Sequence, residues 1–275
     1  MGWSYRDWVG PFYPAGTSQK DFLQLYSLVF DTVEVDSSFY RTPSSSAIEQ
    51  WKSRTPDGFI FTLKFPREIT YDGRLQARAD AVLEFEERVR KLDSKLACVL
   101  ILLPPYSKFE EMFDRVKVLL NLLSNDIRYA VEFRHSSWFR QEVYDLLWNR
   151  GMCFSWSVNQ YVETPPVVTC DFTYLRLVGD RSITEFDRVQ KDRTGIIKDW
   201  AGKMEATAAE KNIADAYVFS NNHFAGFAPE TINVFRRLSG ADEKEWRRLM
   251  LEGGRGRDGR WRQTSLDGIP GQTGR

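Results

Sequence analysis

The sequence predicts a single α/β domain of the TIM-type (β/α) barrel class, with one of the eight strands unaccounted for. Three observations predict it. Short runs rich in β-branched and aromatic residues recur along the chain, and most are followed by longer amphipathic stretches, the signature of repeated βα units. Polar and charged residues recur near the C-terminal ends of those runs, where barrels of this class carry their chemistry. No stretch rich in Gly, Pro or Ser divides the chain, and 275 residues with 42% hydrophobic content suffice for one large core.

Taken in order, the first helix is expected over Ser18 to Phe30, with Thr17 or Ser18 as its N-cap. The strand run Thr32 to Ser37 follows, then a helix over Ser45 to Ser53 introduced by Pro43-Ser44. The runs Phe59 to Phe65 and Cys98 to Leu103 enclose a helix over Ala77 to Leu92. A helix over Phe109 to Leu123 leads to the run Tyr129 to Arg134, and one over Phe139 to Arg150 leads to the run Met152 to Ser157. The runs Phe172 to Leu177 and Ala216 to Asn221 enclose a helix over Ile196 to Lys211, and a helix over Pro229 to Leu238 closes the pattern. Seven strands leave a barrel one strand short. The barrel domain is expected over residues 1–252, followed by a Gly/Arg-rich tail over 253–275 that lacks periodicity, as a solvated disordered segment does.

Lys+Arg and Asp+Glu both number 38, so no whole-molecule field favours nucleic acid or acidic membranes. Partners must be argued from local sites. Cys98, Cys153 and Cys170 are odd in number and lack a CxxC pair, which points to reduced, structural thiols. No apolar stretch approaches the ~18 to 20 residues that span a bilayer, and the opening Met1-Gly2-Trp3-Ser4-Tyr5-Arg6-Asp7 has neither signal-peptide nor transit-peptide character. No membrane partner is expected, and the cytoplasm is the default location.

Alternation within the strand runs locates a site. In Thr32-Val33-Glu34-Val35-Asp36, the two carboxylates share one face and the valines the other. Thr62 and Lys64 share the face opposite Phe61, Leu63 and Phe65. Glu132 and Arg134 face away from Val131 and Phe133, and Arg176 stands between Leu175 and Leu177. The valines and leucines suit a strand-helix interface, so the charged groups face the barrel interior near its upper rim, where ions are costly unless paired or used. Arg134-His135-Ser136-Ser137-Trp138 and Asn221-Asn222-His223 leave two strand ends with groups suited to an anionic or ring-bearing ligand. A self-neutralising internal salt-bridge network is the structural alternative.

Metal and cofactor chemistry find little support. The chain has 2 histidines, His135 and His223, too few for a zinc cluster of the trinuclear nuclease kind. Glu34, Asp36 and Glu132 suit Mg²⁺ or Mn²⁺, but Lys64, Arg134 and Arg176 compete for the same carboxylates. No P-loop, GxGxxG, HExxH or GxSxG motif stands in its required context, so no cofactor is expected.

Several segments together resemble one family. Gly2-Trp3-Ser4-Tyr5 with Trp8 and Phe12-Tyr13-Pro14, Thr32 to Tyr40, Lys64-Phe65-Pro66, Val131-Glu132-Phe133-Arg134-His135 with Trp138, and Asn221-Asn222-His223 resemble the YecE-like family called domain of unknown function 72. The resemblance runs in order from Gly2 to about Leu238. It implies a TIM-type barrel and puts Glu34, Tyr40, Lys64, Glu132, Arg134 and Asn222 at the rim site. Asp36 stands where the family usually has Asn. The family usually carries a strand ending Gly-Thr-Ser before the Gly-Trp pair, whereas this chain opens at Met1-Gly2-Trp3. An incomplete barrel with a slit between Val33 and Phe219, or an upstream start that restores the strand, is therefore expected.

Three functions follow from these residues. The first is an enzyme acting on a small anionic or phosphorylated substrate, with Glu34, Lys64 and Glu132 dividing the acid and base roles. Tyr40, Arg134, His135, Trp138, Arg176, Asn221, Asn222 and His223 would bind the substrate. The second is a nucleic-acid binding or processing protein that stacks bases on Trp3, Tyr5, Trp8, Tyr40 and Trp138, with Arg41, Lys64, Arg134 and the tail arginines on phosphates. The third is a non-catalytic binding barrel.

Overall fold

In the computed structural model, residues 1–72, 75, 78–211 and 213–246 are described. The strands β1 (Thr32–Val35), β2 (Ile60–Lys64), β3 (Leu96–Leu102), β4 (Tyr129–Glu132) and β5 (Cys153–Phe154) pair in that order into a parallel sheet. A second parallel sheet holds β6 (Trp156–Val158), β7 (Phe172–Leu177) and β8 (Asp215–Ser220). The helices are α1 (Phe22–Ser27), α2 (Ser37–Tyr40), α3 (Ser45–Ser53), α4 (Ala79–Val89), α5 (Phe109–Leu122), α6 (Gln141–Asn149), α7 (Thr194–Lys211), α8 (Asn222–Ala225) and α9 (Ala228–Leu238).

Side chains sort by the two-residue period of the strands. Val33, Val35, Phe61, Leu63, Val99, Ile101, Val131, Leu175 and Leu177 join one large core with helix residues such as Ile48, Phe85, Leu119, Leu147 and Trp200. The intervening positions Cys98, Leu100, Ala130, Cys153, Tyr174 and Phe219 form a second cluster on the opposite strand face, together with Met1. Glu34, Thr62, Lys64, Glu132 and Arg176 alternate with the first set, so they share the second face. All five are buried. The three cysteines are free, Cys98 and Cys153 buried and Cys170 partly so.

The sheets meet at Ser155. Its N–H donates to the Val131 carbonyl at 3.0 Å, and its hydroxyl donates to the Tyr174 carbonyl at 3.2 Å. One residue thus serves β4 with its backbone and β7 with its side chain, which splits the strand expected over Met152 to Ser157 into β5 and β6. The other sheet end stays open. Among the described residues no ladder joins β1 to β8, so the closed barrel is not realised as a continuous sheet; the fold is α/β, with parallel sheets and helices. At that seam the Met1 ammonium donates to Ser220 O and the Gly2 N–H to Glu34 O, both at 2.8 Å. Gly2 has φ +66°, and a Cβ there would stand 3.3 Å from Asp36 Oδ2.

Other departures are local. The first helix shrinks to α1 after a 3₁₀ turn over Gln19–Asp21, and neither Thr17 nor Ser18 caps it through a side chain; Thr17 Oγ1 instead donates to Pro14 O at 2.6 Å. Ser44 does cap α3, accepting from the Ala47 N–H at 3.2 Å. The turn helices α2 and α8 interrupt what read as strand ends and loops. No described helix is long and apolar enough to cross a membrane. The tail expected over 253–275 lies outside the described residues.

Replacing Ser155 by Ala removes one side-chain hydrogen bond between the sheets while keeping the backbone one. The expected cost is about 1 kcal/mol, read as a parallel shift of the urea unfolding midpoint; an unchanged midpoint would show that the hydroxyl contributes nothing to the junction.

Candidate functional site

Arg176, near the end of β7, is 2% exposed and stands between two carboxylates from the other sheet. Its Nε donates to Glu34 Oε2 and its Nη2 to Glu34 Oε1, each at 2.9 Å, a bidentate pairing with β1. Its Nη1 donates to Glu132 Oε2 on β4 at 2.5 Å. Glu34 Oε2 also accepts from the Tyr174 hydroxyl at 2.7 Å, and Glu34 Oε1 lies 3.1 Å from Lys64 Nζ. Glu132 Oε1 accepts from Arg134 Nε at 2.8 Å, and Lys64 Nζ bonds Asp36 Oδ1 as well. Arg134 Nη1 continues the chain to the Tyr71 hydroxyl at 3.2 Å.

The electrostatics follow from this saturation. Burial alone pushes the Glu34 carboxyl up, but the Arg176 guanidinium and the Lys64 ammonium outweigh it and hold it well below the usual carboxylate range. Glu132 moves the same way: burial opposes its charge, and Arg176 with Arg134 overcomes the penalty. Both carboxylates are therefore ionised, and each of their oxygens accepts from a cation. Burial raises the Tyr174 hydroxyl, with Glu34 adding to the effect, so it stays a proton donor.

A cavity of about 560 Å³ opens above this layer. Lys64, Arg134, Arg176, Tyr40, Asn221, Asn222 and His223 line it, joined by Asp36, Phe39, Arg67, Tyr71, Tyr106, Asn159, Gln160, Tyr161 and Arg181. Glu34 and Glu132 do not reach it; they lie beneath, holding the cations that do. The side chains of Lys64, Arg67, Arg134, Arg176, Arg181 and Asp36 line the cavity, with Glu34 and Glu132 beneath it, in a chain of formal net charge +0.

Two groups from the last strand end have open chemistry. Asn222 Oδ1 accepts from the Ala228 N–H at 3.0 Å, while its Nδ2, in a side chain 2% exposed, has no partner in the structure. An unpartnered buried amide donor at a cavity wall is costly unless a ligand or water meets it. His223 Nδ1 lies 2.9 Å from the Ile183 carbonyl. A carbonyl only accepts, so Nδ1 carries the proton and Nε2 of the neutral ring is the acceptor.

His135 and Trp138 stand apart from this cavity. A 3₁₀ turn over Ser136–Trp138 sends the Trp138 ring into the core against Phe133 and Phe109, where its Nε1 donates to Ser107 O at 2.8 Å. His135 Nδ1 caps that turn, accepting from the Ser137 N–H at 3.2 Å. Trp8, one of the five stacking platforms of the nucleic-acid expectation, is likewise a core residue, ringed by Phe12, Tyr13 and Tyr26. Strand alternation missed Tyr71, Tyr106, Tyr161, Arg67 and Arg181, because they lie beyond the strands, Tyr71 in a π-helical turn over Glu68–Asp72, Arg67 beside it and the others in loops. Their common signal is position a few residues past the end of a strand. Among the described residues no group of three or more His, Cys, Asp or Glu is arranged to hold a metal ion.

Fold and site define an α/β protein of parallel strands whose charged side chains meet under a cavity at the strand ends. The model of the family described as "Protein of unknown function DUF72" matches residues 1–252, and the chain belongs to that family. It is 28% identical over 166 residues to UPF0759 protein YecE of Escherichia coli O157:H7, covering 60% of this chain and 58% of the relative. It is 32% identical over 152 residues to UPF0759 protein YunF of Bacillus subtilis (strain 168), covering 52% of each. The aligned stretches thus span little more than half of these relatives. A crystal structure of a DUF72 family protein from Thermotoga maritima MSB8 superimposes with TM-score 0.73 at 26% identity, over 86% of this chain and 96% of that one. One from Enterococcus faecalis V583 gives 0.69 at 18% identity, over 82% and 96%, a likeness of fold.

The Arg176 clamp makes a stability prediction with a definite sign. Arg176→Met leaves two buried carboxylates without their main partner and is expected to cost about 3 to 5 kcal/mol in urea unfolding. Glu34 and Glu132 titrate lower in the folded state than their ordinary value of 4.5. Their contribution is therefore complete above that value and lost as pH falls through the depressed one. Stability measured below about pH 4.5 should fall less steeply in Glu132→Gln than in the wild type.

Gly179 tests the placement of His223. A Cβ on it would stand 1.8 Å from the His223 carbonyl oxygen and 2.4 Å from the Phe224 nitrogen, both backbone atoms. Gly179→Ala should lower stability by about 1 to 3 kcal/mol and shift the His223 ring resonances; unchanged resonances would count against the tight contact.

Proposed function

We propose that the chain is an enzyme acting on a small phosphorylated substrate by acid–base chemistry at the strand ends. The observation that carries this reading is the charge of the cavity. Lys64, Arg134, Arg176 and Arg181 face or floor it together, in a chain whose formal net charge is +0. A phosphate monoester brings negative charge to that cluster and offers oxygens in several directions. The unpartnered Asn222 amide adds a neutral donor at the same wall.

In this reading the buried carboxylates do not transfer protons. Glu34 and Glu132 keep Arg176, Lys64 and Arg134 aimed and charged, while Arg134 and Arg176 hold the anion. Proton transfer falls to groups at the cavity surface: Lys64 as donor and His223, through Nε2, as acceptor. Preorganised cations at a buried floor, as Arg176 and Lys64 are, are worth more to a developing negative charge than the same cations in solvent. The same reading takes the two sheets as the wall of one (β/α) barrel, continuous at Ser155 and open at the β1 to β8 seam. In support, all ladders are parallel, strands follow chain order, and Met1 and Gly2 bridge Ser220 and Glu34.

Thermal shift against inorganic phosphate and a panel of phosphorylated metabolites tests the proposal. A bound anion at a hundredfold its dissociation constant adds about 2.7 kcal/mol, roughly 5 to 10 °C for a domain of this size. The wild type should show such a rise with at least one phosphate compound, and Arg134→Ala should abolish it. No rise with any anion would overturn the reading.

A further inference from the structure

The cavity is layered. Its floor is ionic and buried, from Glu34 and Glu132 up to Arg176 and Lys64. Its upper wall is aromatic and open. Among the described residues four large aromatics are exposed, Tyr40 (68%), Tyr106 (61%), Tyr161 (50%) and Trp148, and the first three line this one cavity. Tyrosines on a soluble surface can be scattered without meaning; three of four at one opening cannot be read that way.

Their origins reinforce the point. Tyr40 ends α2, just after β1; Tyr71 follows β2; Tyr106 follows β3; and Tyr161 follows β6. Four separate strand ends therefore each send a tyrosine to the same rim. The rings are joined below as well: Phe39 meets Tyr40 and Tyr71 edge-on at centroid distances of 5.4 and 5.2 Å. Arg134 reaches between floor and rim, donating to the Tyr71 hydroxyl at 3.2 Å and lying 5.9 Å from the Tyr161 ring centroid. Tyr40 and Tyr106 themselves remain largely exposed to solvent.

A phosphate alone would use the floor and leave this wall idle. We infer that the cavity takes a phosphate monoester carrying a planar ring, phosphate down on Arg134 and Arg176, ring up against Tyr40 and Tyr106, with a nucleoside monophosphate as the fitting chemistry. The inference rests on the phosphate reading above and adds the class of the group that the phosphate carries. Stacking of a base on an aromatic side chain is worth about 1 to 3 kcal/mol, which sets the size of the effect.

Calorimetric titration of the whole chain with three probes tests it: inorganic phosphate, ribose 5-phosphate and adenosine 5′-monophosphate. The monophosphate should bind at least about fivefold tighter than ribose 5-phosphate, the low end of one stacked ring. Tyr40→Ala with Tyr106→Ala should erase that advantage and leave phosphate binding within about twofold. Tyr40→Phe with Tyr106→Phe, which keeps the rings, should preserve it. Equal affinity for ribose 5-phosphate and the monophosphate overturns the ring, while leaving the phosphate reading intact. Failure of the wild type to bind any of the three overturns both.

Discussion

The structure depends on one guanidinium. Arg176 sits at the end of the middle strand of the smaller sheet, and its donors reach Glu34 on the first strand and Glu132 on the fourth strand of the larger one. Bringing these three groups out of water costs several kcal/mol per ion, and only close, multiply bonded pairing offsets it. The geometry supplies that pairing: the Arg176–Glu34 contact is bidentate, and every oxygen of both carboxylates has a cation. Such a cluster is a poor source of net stability. Its effect is specificity, because an error in the relative placement of the two sheets would leave a buried charge alone.

That constraint explains how an open sheet remains a defined one. The β1 and β8 edges are not laddered to each other, so backbone hydrogen bonds alone do not fix their separation. Three other links do. Ser155 ties the sheets at the far side, Met1 and Gly2 bridge Ser220 to Glu34 across the seam, and Arg176 spans the interior to Glu34. Glu34 takes part in two of these, through its carbonyl and its carboxylate. The sulfur of Met1 also accepts from Arg176 Nη2 at 3.4 Å, so the seam and the clamp share residues on both sides.

Much of this was legible in the sequence, for a specific reason. A two-residue period is a rigid geometric fact, and Val33, Leu63, Val131 and Leu175 fixed which neighbours face away from the helices; Glu34, Lys64, Glu132 and Arg176 followed. The strand Phe172–Leu177 has the expected bounds. The period ends where the strand ends, and so did the foresight. Past Phe133, the polar and aromatic run Arg134 to Trp138 read as one surface, yet Arg134 turns to the cavity and Trp138 into the core. A single 3₁₀ turn makes that difference, and no pattern in five residues encodes it. The β1 to β8 edge is open where a slit was expected, whereas the break at Ser155 was not legible, because the run Met152 to Ser157 carries no mark that divides it.

The division between floor and rim has a physical origin in the same period. Strand residues can bury ions only if each partner is placed by the sheet, where neighbouring positions are held to fractions of an ångström. Loops lack that precision, so what they bring to a cavity must work without it. Aromatic rings meet this requirement, since contact with a flat face tolerates sliding and tilt that a bidentate ion pair does not. Asn222 and His223 lie between the two regimes. They occupy the short helix α8 directly after β8, and Gly179, without a Cβ, lets the loop after β7 close onto their backbone. The Asn221 side chain accepts from the Gly179 N–H at 3.0 Å and locks that approach. A glycine there is thus part of how a loop segment acquires the precision of a strand, and it puts the one unpartnered buried amide of the described cavity wall where a ligand can meet it.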